Sequence, residues 1–228
     1  MSYSIKDFEP TGVVRFPLSA CNDNVIVVEA KHKQVEGREG KTYELMEITY
    51  AKKMPDGIAK LNHGVYKVDE ENPFMIDADD GDKQKAIKRL KNEFYQLIYW
   101  HTDALKIPRE EVQSTLGESF SFKSFIENFN TLIQKYRKSS KVYLKTFKND
   151  SGYITIPRFG CFIKSMTDQN GNIINCDLSY NDWEKKRLNT MAAIGSDGDI
   201  EEYSDDSEED SNENLASSLD AIDDLPFE

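Results

Sequence analysis

The sequence predicts an α+β domain, a five-stranded Greek-key β-barrel with a helical insertion, followed by an acidic tail. Three observations predict it. Short β-rich runs occupy residues 12–68 and return over 141–176. Between them, over about 82–139, apolar residues recur at helical spacing. From Gly195 to Glu228 there are 14 acidic residues and no Lys or Arg, which leaves 27 acids against 29 bases in residues 1–194. The formal charge of −12 therefore hides a body of about +2 joined to a strongly anionic terminus.

The first strand is Val25 to His32, rich in β-branched residues after the turn-forming Asn22-Asp23-Asn24 and ahead of Gly37 and Gly40. Tyr43 to Tyr50 is the second. Pro55-Asp56-Gly57 is a turn, because proline presets φ and glycine accepts a positive one. A third strand is predicted over Gly64 to Asp69. Ile87, Leu90, Phe94, Leu97, Ile98, His101 and Leu105 then form one helical stripe, with Asp82 as N-cap. A shorter helix starts at Pro108, with Glu110 and Glu111 in its favourable first turn. The third spans Phe122 to Arg137, capped by Ser121. Lys141 to Lys148 and Tyr153 to Ile156 flank Asn149-Asp150-Ser151-Gly152 as a hairpin, and Cys161 to Met166 and Asn172 to Cys176 flank Asn170-Gly171 as another. Asp182 caps a short helix through Leu188. Three strands, helices, then more strands suit a barrel of the OB type, enlarged after its third strand, with a generic α+β sandwich as the alternative. The domain boundary falls at 194. Residues 195–228 have too few apolar groups to offset ordering entropy and are predicted to be disordered.

Composition narrows the function classes. No apolar run approaches the ~18 residues that cross a bilayer. The N-terminus lacks the basic-then-apolar pattern of a signal peptide, so a cytoplasmic protein is expected. Cys21, Cys161 and Cys176 are too few for a disulfide framework and read as free thiols. His32, His63 and His101 are scattered, with no cysteine at ligand spacing, and His101 continues the helix stripe as a core histidine. Asp77 to Asp82 has the look of a calcium loop, but its glycine comes one position early and Lys88 stands where a glutamate is needed. No glycine-rich phosphate loop is present. No metal and no cofactor are predicted.

The strand Lys141 to Lys148 carries the first candidate site. Alternation puts Val142 and Leu144 inside, and Lys141, Tyr143, Lys145 and Phe147 on the outer face. Ammonium groups neutralise phosphates, and rings stack on unpaired bases at ~1–3 kcal/mol per base. Tyr153 projects outward across the hairpin, and Arg158 and Phe159 follow. Lys33, Arg38 and Lys41 form a basic loop, and Lys52, Lys53 and Lys60 surround the Pro55 turn. Such loops border the ligand face of OB barrels. The lysines and arginine over 83–91 read instead as a solvated helix face.

At the extreme C-terminus, apolar groups reappear among acids: Asp220, Ile222, Asp223, Asp224, Leu225, Pro226 and Phe227. A short apolar knob with carboxylates suits a pocket with a basic rim. This tip resembles that of bacterial and phage single-stranded DNA-binding proteins, which end in an acidic stretch and Pro-Phe. Here Glu228 follows the phenylalanine, a departure from the family, whose partners read the terminal carboxylate together with the ring. The layout of residues 12–176 is similar to phage members of the class. The resemblance implies a non-enzymatic protein of the bacterial host cytoplasm that coats single-stranded DNA in replication or recombination. It also implies that Asp220, Asp223, Asp224, Leu225, Pro226 and Phe227 recruit a polymerase, primase, helicase or recombinase.

Two other classes remain. One is a protein–protein adaptor or DNA mimic that uses the tail as a solubilising segment. The other is a Mg²⁺-dependent nuclease, because Glu29 and Lys31 have the strand-borne Glu-x-Lys spacing; the further acid it needs, Asp23, lies six residues upstream on the same run with no strand of its own.

Overall fold

The computed structural model describes residues 14–37, 40–70, 79–117, 119–149, 151–157 and 160–194. Three strands form an antiparallel meander: β1 (Asn22–Glu36), β2 (Thr42–Met54) and β3 (Gly57–Tyr66). The third strand begins earlier than the sequence predicted. Pro55-Asp56 turns the chain in two residues, and Gly57, at φ +140°, is already paired with Met54. β4 (Val142–Leu144) returns to lie against β1, which gives the Greek-key order 4-1-2-3, and β7 (Ile163–Ser165) adds outside β4. Between them, β5 (Phe147–Lys148) and β6 (Ile154–Thr155) make a separate small hairpin around Gly152, whose φ is +81°. The architecture is α+β with an open five-stranded sheet whose edges are β3 and β7, not a closed barrel.

Two predicted strands are shorter than expected. Lys141–Lys148 is broken at Lys145 and Thr146, whose amides bond to Phe162 and Ser19 rather than to a neighbouring strand. Asn172–Cys176 contributes only the bridge between Thr167 and Ile173.

The insertion folds as three helices: α1 (Asp80–Ala104), α2 (Arg109–Leu116) and α3 (Phe122–Tyr136). The cap of α1 is Asp79, which accepts from the amide of Asp82 at 2.9 Å, so the predicted cap residue is the amide donor. Ser121 and Ser124 cap α3 reciprocally. α3 lays Ile126, Phe129, Leu132 and Ile133 onto the inner sheet face of Val25, Val27, Met46 and Ile48, beside Leu97, Ile98 and Leu105 of the α1 region. A bulge between Val27 and Glu29 turns the Val28 carbonyl out of the ladder, where Gln134 Nε2 and Arg137 Nη1 donate to it at 2.8 and 2.9 Å. α4 (Asp182–Ile194) closes the described chain. Among the described residues no helix is long and apolar enough to cross a membrane.

The cysteine expectation is corrected. The fold brings Cys21, just before β1, and Cys176, after β7, to a Cα–Cα distance of 6.4 Å and joins them as a disulfide, leaving Cys161 free. A separation of 155 residues hides that proximity from the sequence.

Candidate nucleic-acid interface

The predicted lysine–aromatic strand face is buried, and this is the main correction. Val142 and Leu144 point inward as expected, but Tyr143, Lys145 and Phe147 are also sealed, at 8%, 3% and 5% exposure. The cause is long-range. β4 lies between β1 and β7, and the chain after β7 folds back over its outer face. Met166 and Leu178 pack on Tyr143, whose hydroxyl donates to the Ile174 carbonyl at 2.7 Å. Lys145 Nζ meets both carboxylate oxygens of Glu184 at 3.1 Å and the Ser179 carbonyl at 3.2 Å. Phe147 is stacked against Trp183, with ring centroids 5.8 Å apart. These groups anchor α4 and present no surface to a ligand. Lys141 is half-buried.

The remaining predicted residues are dispersed. Tyr153 is exposed at the β5–β6 hairpin. Lys33 stands on the outer face of β1 in an ion pair with Glu47 at 2.8 Å, and Lys41 is exposed ahead of β2. Arg38, Arg158 and Phe159 lie outside the described residues, as do Asp220, Asp223, Asp224, Leu225, Pro226 and Phe227 of the tip and the whole of 195–228. Of the nuclease candidates, Glu29 pairs with Lys31 at 2.7 Å and Asp23 with Lys52 at 2.5 Å. The Lys52 ammonium holds the Asp23 carboxyl below its ordinary range.

A surface combining cations and rings exists elsewhere, on α1. At 100° per residue, Lys88, Lys91, Tyr95 and Tyr99 fall on one side of the helix, with Lys85 beside them. Neighbours at i+3 and i+4 make Lys91, Tyr95 and Tyr99 one row and Lys88, Asn92, Gln96 and Trp100 the next. Tyr95 is 62% and Tyr99 47% exposed, unusual for rings in a helix that buries Leu97 and Ile98 on its other side. Lys88 and Lys91 are exposed and have no carboxylate within ion-pair distance among the described residues. The sequence did carry a signal. Tyr95 and Tyr99 fall outside the apolar stripe of Ile87, Leu90, Phe94, Leu97 and Ile98, so a ring pair at four-residue spacing was visible on the basic side.

Beside this face a groove of about 510 Å³ runs between α1 and the sheet-edge strand β3. Trp100, Phe94 and Leu97 line it from α1 and His63, Val65 and Tyr66 from β3, with Phe162 and Pro157 completing the lining. Burial holds the His63 imidazole down to about 4, so it is neutral at pH 7. No family model, curated protein or solved structure matches this chain. The exposed chemistry of α1 is therefore what a functional reading has to explain.

Proposed function

We propose that the chain is a single-stranded DNA-binding protein whose strand lies along the outer face of α1. The observation that carries this reading is the coincidence of two exposed ammonium groups with no ion-pair partner among the described residues, Lys88 and Lys91, with two solvent-facing rings, Tyr95 and Tyr99, on one helix. Ammonium groups bind the phosphate backbone, and rings stack on bases of any identity, so binding is strong in charge and weak in sequence preference. The Greek-key order of β1 to β4, with the helices inserted between the third and fourth strands, is compatible with an opened OB-type barrel and supports the same class. The tail supplies the second half of the proposal. Its 14 carboxylates compete with DNA for the basic face, and displacement by DNA releases the tip around Phe227 to recruit a polymerase, primase, helicase or recombinase.

The test is a titration of labelled oligo-dT in chelator, followed by anisotropy. Wild-type protein binds, and Lys88→Ala/Lys91→Ala binds more weakly with a salt slope shallower by about 1.4, at ~0.7 per lost phosphate contact. An unchanged slope rejects the α1 face. Adding Mg²⁺ leaves the oligonucleotide intact; cleavage would favour the nuclease class instead.

A further inference from the structure

The groove between α1 and β3 is not needed by a strand that only lies across the helix. It is a concave space in the size range of small-molecule sites, lined largely by aromatic and aliphatic side chains. Its polar groups are few and placed together. Asn92 and Gln96 stand one turn apart on the groove side of α1, both exposed, and each amide offers donors and an acceptor. The row that contains them begins at Lys88 and ends at Trp100. One line along the helix thus presents a cation, two amides and an indole, parallel to the Lys91, Tyr95 and Tyr99 row.

We propose that this groove is a nucleobase pocket, taking one unpaired base out of the strand held on α1. The inference rests on the DNA-binding reading above and deepens it. Lys88 holds the adjoining phosphate, Asn92 and Gln96 bond the edge of the base, and the aromatic walls take its faces. Charge complementarity favours this occupant. The groove side of α1 adjoins the exposed Lys88, one turn before Asn92, and the carboxylate in its lining, Glu93, faces Arg89 at 3.7 Å. A base is apolar on its faces, polar at its edge and tethered to an anion, which matches all three features.

The test uses the full chain with Trp183→Phe, which leaves Trp100 as its only tryptophan. Oligo-dT and an abasic oligonucleotide of equal length are titrated into it. Oligo-dT quenches Trp100 emission, and the abasic strand binds without quenching. Asn92→Ala/Gln96→Ala weakens oligo-dT about 10-fold, the effect of roughly 1.4 kcal/mol in lost hydrogen bonds, and leaves abasic binding unchanged. Both positions are exposed on a helix, where alanine does not threaten folding. Tight oligo-dT binding with no change at Trp100, or with no loss in the double variant, overturns the pocket and leaves the DNA-binding reading standing. It would point instead to an apolar peptide as the occupant. Failure of every oligonucleotide to bind overturns both.

Discussion

His101 is fully buried beside Phe129 and Phe162 and still satisfies both ring nitrogens. Nδ1–H donates to the Leu97 carbonyl at 2.7 Å, which leaves Nε2 to accept from the Tyr50 hydroxyl at 2.8 Å. Burial pulls its pKa down to about 4, and that of His63 to about 4 as well, from an unfolded value near 6.5. The folded state therefore binds fewer protons than the unfolded one between those values, and stability falls as pH drops from 6.5 toward 4. The fully buried His101 contributes on the order of 2–3 kcal/mol to that loss, and the partly exposed His63 adds in the same direction. A urea midpoint that declines over this window, and declines less in His101→Gln, is the expected result. A second buried polar contact gives an independent prediction. Lys145→Met strands the Glu184 carboxylate and costs ~3–5 kcal/mol, whereas Lys145→Met/Glu184→Leu recovers most of it, as thermal unfolding would show.

At the scale of elements, legibility followed the range of the interactions. α3 was readable to within a residue because its cap at Ser121 and its stripe of Phe129, Leu132 and Ile133 are local. The outer face expected over Lys141 to Lys148 is covered in the structure, because alternation assumes one wet face and nothing in Lys141 to Lys148 announces that Met166, Leu178 and Glu184 arrive to cover the other. Glu184 is committed to that cover twice. It pairs with Lys145, and it accepts from the Asn181 amide at 2.7 Å while its own amide donates to Asn181 Oδ1 at 2.8 Å, a reciprocal cap for α4. Asn181→Ala should therefore destabilise by about 1 kcal/mol through the cap, with no effect on oligonucleotide affinity. α1 is a helix as the periodicity predicts, and Lys85, Lys88 and Lys91 are solvent-exposed as expected; the two exposed tyrosines on the same side are what the apolar stripe alone does not single out.

For the whole molecule, two features link distant parts of the chain. The Cys21–Cys176 disulfide ties the approach to β1 to the segment that covers β4, closing a long loop worth about 5 kcal/mol of unfolded-state entropy. Thiol titration of unfolded, unreduced protein should give one thiol, from Cys161, and three after reduction. The second feature is the separation of charge between a body of about +2 and a tail of 14 acids and no Lys or Arg. Deleting 195–228 should tighten oligo-dT binding and flatten its salt dependence at the low-salt end. The central claim is that the strand stacks on the exposed rings of α1, and oligo-dT affinity of Tyr95→Ala/Tyr99→Ala tests it most directly. Both sites are solvent-facing, so the unfolding midpoint stays at the wild-type value, while affinity falls at least ~10-fold, given ~1–3 kcal/mol per stacked base. A folded double variant that binds oligo-dT as tightly as wild type would contradict the account.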